Sequence, residues 1–411
     1  MNKINNIPKR RFPQFTDAWE QRKLGDIGAD FIGGGTPNTG NESFWNGQIP
    51  WVQSSDIKED HVLDITPKKF VSEQGLQKSA AKLIPKNSIA IVTRVGVGKV
   101  SLVPFDYATS QDFLSISNLK IDELFATYGT YRLLKSESKK VQGTSIKGIT
   151  KADLLQKTIK IPTNRAEQTA IGDFFRRLDG LITLHQRKLE HTQTLKKGLL
   201  QKMFPQNGQN IPEIRFPQFT DAWELHKLGE ISEKVKEKNK NREFTETLTN
   251  SAEFGVISQR DFFDKEISNI DNIDNYYIVQ NDDFIYNPRI SNLAPVGPIK
   301  RNKLGRTGVM SPLYYIFRLN SDVEPSYLES YFETKIWHNF MYLNGDTGAR
   351  SDRFAIKDSI FVQMPIMLPS IAEQTAIGDF FRRLDGLITL HQRKLEHLKQ
   401  LKKSLLQQMF V

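Results

Sequence analysis

The chain has 411 residues, of which 38% are hydrophobic and 25% charged, a composition typical of a soluble globular protein with about two to four domains. It contains no cysteine, which excludes disulfides and thiolate metal sites. No apolar run reaches the ~18 residues needed to span a bilayer, and the first residues lack the apolar core of a signal peptide, so we expect a cytoplasmic protein. Lys and Arg number 57 against 47 Asp and Glu, and the net charge of +10 favours a polyanionic partner such as nucleic acid.

Two segments that occur twice organise the chain. Residues 11–20 read RFPQFTDAWE and return unchanged at 215–224; we call them the tags. Residues 166–191 read AEQTAIGDFFRRLDGLITLHQRKLEH and return unchanged at 372–397. Between a tag and the following repeat lies a block whose two versions differ widely. The repeated segments, which we call the frame, thus flank two different blocks, as a protein that reads two different targets would need.

The first block runs from about residue 24 to 162, and its Gly, Pro, Asn and short β-favouring runs predict mixed α and β structure. Its strand-like run 88–92 is followed by an arginine within a stretch, 74–105, that contains no acidic residue. Basic loops without acids suit contact with phosphates and base edges, although a single lysine is more often a solvated surface residue. The candidate DNA-binding residues of this block are Thr93, Arg94, Lys99, Gln111 and Lys147.

The second block, from about residue 228 to 369, repeats this arrangement with a strand-like run at 284–286, a following arginine and an acid-free stretch at 284–321. Residues 205–370 hold 19 basic and 23 acidic residues, a net charge of −4, so DNA contact here requires a local basic patch. The candidate DNA-binding residues of this block are Arg289, Arg306, Arg350 and Arg353.

Each block is followed by a predicted long helix, because residues 165–204 contain no proline and carry a heptad pattern of apolar residues. Polar residues interrupt the heptad seam, so one copy alone would associate poorly, and two copies in one chain suggest that they pair with each other. A four-helix bundle or another coiled coil is the alternative. The predicted coiled-coil contacts are Phe175, Leu178, Ile182 and Leu189 in the first copy and Phe381, Leu384, Ile388 and Leu395 in the second.

The common catalytic motifs are incomplete. Residues 96–99 read GVGK, yet the first glycine and the final Ser or Thr of a P-loop are missing. Residues 311–314 read SPLY and lack the second proline of the amino-methyltransferase motif. Four of the seven histidines lie in the duplicated helix at a six-residue spacing, which does not place ligands on one helix face. We expect no catalytic, metal or cofactor site in this chain.

Taken together, these motifs resemble the specificity subunits of type I restriction–modification systems. The resemblance covers nearly the whole chain and is carried by Ala-Glu-Gln-x-x-Ile with Phe-Phe-x-x-Leu-Asp-x-Leu-Ile, present twice, and by Trp-Glu followed by Leu-Gly-Asp/Glu-Ile, also present twice. In the first block Gly34-Gly35-Thr36-Pro37 and Ile49-Pro50-Trp51-Val52 also fit the family, and the second block lacks both.

The resemblance implies an α+β fold with a pseudo-two-fold repeat, in which two long helices form an antiparallel coiled coil between two mixed α/β target-recognition domains. The corresponding divisions are 1–164 and 205–370 for the domains, and 165–204 and 371–411 for the helices. Each domain is expected to read one half of a bipartite site in double-stranded DNA. The helices would set the spacing and dock two methyltransferase subunits, which restriction (motor-nuclease) subunits join. S-adenosylmethionine, ATP and Mg²⁺ would belong to those partners.

Two other classes of function remain open at this point. An enzyme that acts on DNA by itself would bind S-adenosylmethionine or ATP as the isolated chain. A coiled-coil assembly protein without a DNA role would lack the salt-dependent duplex binding expected of the first two classes.

Overall fold

The computed structural model describes residues 6–140, 148–206, 208–262, 270–347 and 352–411. The chain divides into two compact units, Met1–Arg187 together with His391–Val411, and Lys188–Leu390. Each unit therefore contains one block and part of each long helix.

The first unit is built on a four-stranded antiparallel sheet in the order β2-β8-β5-β6, beside a three-stranded sheet β4-β3-β7 and the pair β1-β9. The β-favouring run 88–92, which was predicted as a strand, is β5; it lies inside the four-stranded sheet and is buried along its whole length. Its strands are β1 (Glu20–Lys23), β2 (Gly28–Gly33), β3 (Ile49–Val52), β4 (Lys69–Val71), β5 (Ser88–Val92), β6 (Val100–Val103), β7 (Ala108–Thr109), β8 (Phe113–Leu119) and β9 (Thr158–Ile161). Its helices are α1 (Glu73–Gln77), α2 (Glu123–Lys140), α3 (Lys151–Gln156) and the first part of α4 (Arg165–Lys202).

The second unit has a four-stranded antiparallel sheet in the order β11-β18-β15-β16, with the pairs β10-β19, β12-β13 and β14-β17. Its strands are β10 (Glu224–Lys227), β11 (Ser232–Lys234), β12 (Leu248–Ser251), β13 (Gly255–Ser258), β14 (Tyr277–Val279), β15 (Phe284–Tyr286), β16 (Ile299–Arg301), β17 (Gly308–Met310), β18 (Tyr315–Leu319) and β19 (Pro365–Leu368). Its helices are α5 (Leu228–Ile231), α6 (Gln259–Phe262), α7 (Pro325–Glu333), α8 (Ile336–Asn344), α9 (Asp358–Phe361) and part of α10 (Ile371–Met409).

The two units share one topology under different sequences. In each, the strand after the tag pairs antiparallel with the strand that precedes the long helix, β1 with β9 and β10 with β19. The two four-stranded sheets have the same order, so β5 and β15 are equivalent internal strands and β6 and β16 equivalent edge strands. The predicted α+β fold and its internal repeat are confirmed, and the blocks differ in the smaller sheets added to this common frame.

The duplicated Glu of the Ala-Glu-Gln motif explains why each tag is repeated with its helix. Glu167 is 1% exposed, and its carboxylate accepts two hydrogen bonds from the Arg11 guanidinium, at 2.6 and 2.7 Å, and one from the Trp19 indole at 3.2 Å. Glu373 accepts the same paired hydrogen bonds from Arg215, both at 2.7 Å. A carboxylate this buried requires such a partner, so tag and helix are kept together in both units.

The glutamine of the same motif connects the helix start to the block. The Gln168 side chain donates to the carbonyl of Pro162 at 2.8 Å and accepts from the amide of Asp122 at 2.9 Å. Gln374 makes the equivalent pair of hydrogen bonds in the second unit. The motif therefore fixes where each long helix begins relative to its block.

Within the first unit, α4 and α10 run antiparallel. The Phe175 ring centre lies 5.8 Å from that of Phe410, and the Nδ1 atoms of His185 and His391 are 3.1 Å apart. The residue number on α10 thus falls as that on α4 rises, which is the antiparallel arrangement that was predicted.

Within the second unit the same two helices are again antiparallel. Lys196 contacts Asp385 at 2.6 Å, and the Phe204 ring centre lies 6.2 Å from that of Phe381. The pairing predicted between the two copies is confirmed. Of the predicted contacts Ile388 is half-buried, and the others are buried: Phe175, Leu178, Ile182, Leu189, Phe381, Leu384 and Leu395.

Candidate nucleic-acid interface

The loop between β5 and β6, residues 93–99, forms a short hairpin tip that we call the first tip. The amide of Val92 donates to the carbonyl of Lys99 at 2.9 Å and closes the hairpin. Gly96 and Gly98 have φ angles of +88° and +95°, which side-chain-bearing residues rarely adopt, so the glycines permit this tight turn. The GVGK sequence that resembles part of a P-loop is thus a β-hairpin turn.

Both ends of the first tip are tied to the rest of the unit. The amide and hydroxyl of Thr93 donate to the carbonyl of Asp112 at 2.7 and 3.0 Å. The Lys99 ammonium donates to the carbonyls of Ser54 and Ile57 at 3.1 and 3.0 Å. These two predicted DNA-binding residues therefore direct polar groups into the protein, where they hold the loop.

Arg94, between these anchors, is exposed, and its guanidinium makes no hydrogen bond or ion pair with any residue that the structure describes. Gln111 is also exposed and lies next to Asp112, the residue bonded to Thr93; its side-chain oxygen accepts from the Thr36 hydroxyl at 2.5 Å. The first unit therefore brings Arg94 and Gln111 to one neighbourhood. Thr36, from the Gly-Gly-Thr-Pro turn, also belongs to this group of residues, and the sequence analysis did not name it as a candidate.

The loop between β15 and β16, residues 287–298, is the equivalent second tip. Ser291 and Ala294 exchange two backbone hydrogen bonds, both at 3.0 Å, and so form a tight turn. Gly297 has a φ of +85°, and a Cβ there would lie 2.2 Å from the carbonyl oxygen of Asn287, so only glycine fits. This hairpin is longer than the first and has the same place in its sheet.

Arg289 lies at the start of the second tip and is paired with a second candidate, Arg353, in an isolated antiparallel bridge. The amide of Phe354 donates to the carbonyl of Pro288 at 2.7 Å, just as the amide of Ile149 donates to the carbonyl of Thr93 in the first unit. Both arginines are exposed, and neither guanidinium makes a hydrogen bond or ion pair with a residue within the described part of the chain. Two predicted arginines thus meet at one place.

Acidic side chains from outside the acid-free stretch of the second block contact its arginines in the folded chain. Arg306 makes a bidentate contact with Glu246 at 2.7 Å, and this hydrogen-bonded pair lowers the pKa of the Glu246 carboxyl. Arg318 is bidentate to the buried Asp283, at 2.7 and 2.9 Å. Carboxylates distant in sequence neutralise these two cations, whereas Arg289 and Arg353 are exposed and make no hydrogen bond or ion pair with a described residue. Lys147 and Arg350 lie outside the described residues.

Three features bear on other classes of function. Among the described residues, no group of three or more His, Asp or Glu side chains is arranged to hold a metal ion. No helix in the described ranges combines the length and apolar composition required to cross a membrane. In the SPLY sequence the Tyr314 hydroxyl lies 3.0 Å from that of Thr249, a contact within the block.

Comparison with known proteins matches both halves of the chain. The profile described as the type I restriction modification DNA specificity domain matches residues 16–193 and 220–400. The MjaIX specificity subunit of Methanocaldococcus jannaschii is 25% identical over 241 residues, 56% of this chain and 53% of that protein. The EcoR124I/EcoR124II specificity subunit of Escherichia coli is 29% identical over 195 residues, 43% and 47% respectively. The chain thus spans about half the length of these two curated relatives.

The solved structures show the same fold over almost the whole chain. The S subunit of the type I restriction–modification system of M. genitalium superposes with a TM-score of 0.60, at 14% identity, over 98% of this chain and 99% of its own. A chain from a structural study of complex assembly and conformational transition in the type I R-M system has a TM-score of 0.51, at 16% identity, over 94% and 96%. With its repeated frame and both halves matched, the chain belongs to the family of type I restriction–modification specificity subunits.

Proposed function

We propose that the chain recognises DNA sequence for a type I restriction–modification complex, each unit reading one half of a bipartite site. The observation that supports this proposal is that the same structural feature occurs in two blocks of different sequence. Equivalent internal strands, β5 and β15, each lead into an anchored hairpin tip that begins with an exposed arginine lacking a described partner. Arginine forms bidentate hydrogen bonds with guanine and with phosphate, so both tips suit DNA contact.

Within this proposal the candidate residues have two kinds of role. Arg94 and Gln111 in the first unit, and Arg289 and Arg353 in the second, contact bases or phosphates. Thr93, Lys99 and Arg306 support the surface by their internal hydrogen bonds, and Lys147 and Arg350 are further proposed contacts.

The repeated frame suits a scaffold that binds the same partner twice. We assign two methyltransferase subunits to it, with S-adenosylmethionine bound by those subunits. Motor-nuclease subunits that use ATP and Mg²⁺ join the complex, and this chain itself catalyses no reaction. The paired helices set the number of unread bases between the half-sites. The complex acts on DNA in the cytoplasm.

The decisive experiment is methylome sequencing of cells that express this chain with its methyltransferase subunit. We expect one bipartite methylated motif, absent when either protein is omitted. Replacing residues 24–162 by the matching block of a relative should change one half of the motif and preserve the other. A change in both halves would contradict independent reading.

The alternative classes give different results. The isolated chain should bind neither S-adenosylmethionine nor ATP, whereas an enzyme acting alone would bind one of them. The complex should bind duplex DNA with an affinity that falls steeply with salt, because phosphate contacts release counterions. An assembly protein without a DNA role would show no such binding.

A further inference from the structure

Each hairpin tip presents one large hydrophobic side chain that is mostly exposed to solvent. In the first tip Val95 directly follows Arg94 and is 71% exposed. In the second tip Leu293 lies in the tight turn between Ser291 and Ala294 and is also 71% exposed. These side chains contribute little to the core of their units, because most of their surface remains in water.

Single exposed apolar residues are common on protein surfaces and by themselves indicate nothing. Val95 and Leu293 differ in their placement, since they recur on hairpins that join equivalent strands in blocks of different sequence. Both hairpins are anchored at their bases, by Thr93 and Lys99 in one and by the Asn287–Pro298 backbone hydrogen bond in the other. The exposed apolar side chain therefore lies in both units on a loop that is anchored at its base.

We propose that Val95 and Leu293 each contact the 5-methyl group of a thymine in the half-site read by their unit. This inference rests on the proposed function and identifies a specificity-determining residue in each tip. The thymine methyl is the apolar group that base pairs display in the major groove, and a two-stranded β-ribbon fits that groove. An arginine in the same tip supplies the polar contacts, so each tip pairs one cationic and one apolar reading group.

The contact predicts a measurable dependence on a single methyl group. Burying one methyl-sized apolar group is worth about a fourfold change in affinity. Replacing the contacted thymine by deoxyuridine removes that methyl and leaves the hydrogen-bonding edge unchanged. The wild-type complex should therefore bind the deoxyuridine duplex about fourfold more weakly at one position in each half-site.

The experiment uses the full chain in complex with its methyltransferase subunits and the motif found by methylome sequencing. Duplexes carry one thymine-to-deoxyuridine replacement at a time, on either strand, and equilibrium affinities are compared. In the Val95→Ala complex we expect the difference between thymine and deoxyuridine to vanish in one half-site and persist in the other. In the Leu293→Ala complex the two half-sites should exchange these results, so each variant is the control for the other.

Both substitutions remove exposed methyl groups, and an unchanged melting temperature verifies that the units remain folded. If no deoxyuridine position weakens the wild-type complex, or if a half-site contains no thymine, the methyl contact is overturned. If discrimination survives both alanine substitutions, the assignment to Val95 and Leu293 is overturned. Failure of the proposed function has a different signature, because no bipartite methylated motif would then be found.

Discussion

The seam between the long helices contains two lysines that the duplication makes equivalent, Lys402 and Lys196, and they provide a matched test of burial. The Lys402 ammonium contacts Asp179 at 2.6 Å and donates to the carbonyl of Asp60 at 2.9 Å. Lys196 contacts Asp385, the equivalent of Asp179, at 2.6 Å. The side chain of Asp179 is 14% exposed and that of Asp385 is 46% exposed.

The same substitution should therefore have unequal costs at the two positions. Asp179→Asn leaves the Lys402 ammonium, 8% exposed, without its charged contact on α4, and breaking a buried pair in this way costs about 3 kcal/mol. Asp385→Asn should cost at most about 1 kcal/mol, because Asp385 is half solvated and Lys196 retains a contact with Glu333 at 2.6 Å. The difference of about 2 kcal/mol corresponds to roughly a 30-fold difference in an opening equilibrium.

Hydrogen exchange followed by mass spectrometry measures this opening unit by unit. Peptides from the repeats are identical in sequence, so the readout must come from the blocks. Helix α2 reports on the first unit, since Lys402 lies 5.7 Å from the ring centre of its Tyr131, and α7 reports on the second through Glu333. Asp179→Asn should accelerate exchange in α2 far more than Asp385→Asn accelerates it in α7.

Two outcomes would refute the reasoning. Equal acceleration in the two helices would show that burial does not decide the cost of the broken pair. A second variant, Lys402→Met in the Asp179→Asn background, removes the buried ammonium that has lost its partner on α4 and should recover most of the lost protection. If this variant recovers no protection, the loss arises from altered packing in the seam and not from the buried charge.

Three other predictions concern the spacing, the DNA contacts and pH. Inserting seven helix-forming residues after Lys188 and seven after Leu387 preserves the heptad and lengthens each helix by about 10 Å, and three residues separate each insertion point from the contacting histidine of its helix. Methylome sequencing should show both half-sites unchanged and a gap about three base pairs longer. Either insertion alone should abolish activity. Arg289→Ala should relax one half of the motif and leave the other intact in the same assay; loss of both halves would contradict this. Burial lowers the pKa of His338 to about 4 from an ordinary value of 6.5, so the stabilisation by its neutral form is present above pH 6.5 and lost as pH falls towards 4. The free energy of unfolding, measured with urea, should be lower at pH 5 than at pH 7.5. His338→Gln should reduce this difference by about 1 kcal/mol after allowance for partial exposure. His397→Gln, which changes an exposed histidine, should not reduce it.

The sequence by itself was sufficient to identify the frame, that is, the repeated tags and long helices. Exact repetition of the tags and helices is visible without coordinates, and the heptad spacing predicts which face of each helix is buried, because helical geometry depends on local sequence periodicity. Residues such as Phe175 and Phe381 therefore lie in the seam as predicted. The run 88–92 was recognisable as a strand for the same reason, since β-favouring composition over a short length is a local signal.

The candidate DNA surface depended on tertiary structure. An acid-free stretch of sequence predicted free cations, yet Arg306 meets Glu246 and Lys99 meets the carbonyls of Ser54 and Ile57, because folding brings together groups distant along the chain. The sequence also did not predict the exposure of Leu293, since local composition does not reveal which apolar residue remains exposed after folding. Periodicity is a property of neighbours in sequence and can be read there. The partner of a charge is a property of neighbours in space, and only the folded chain determines it.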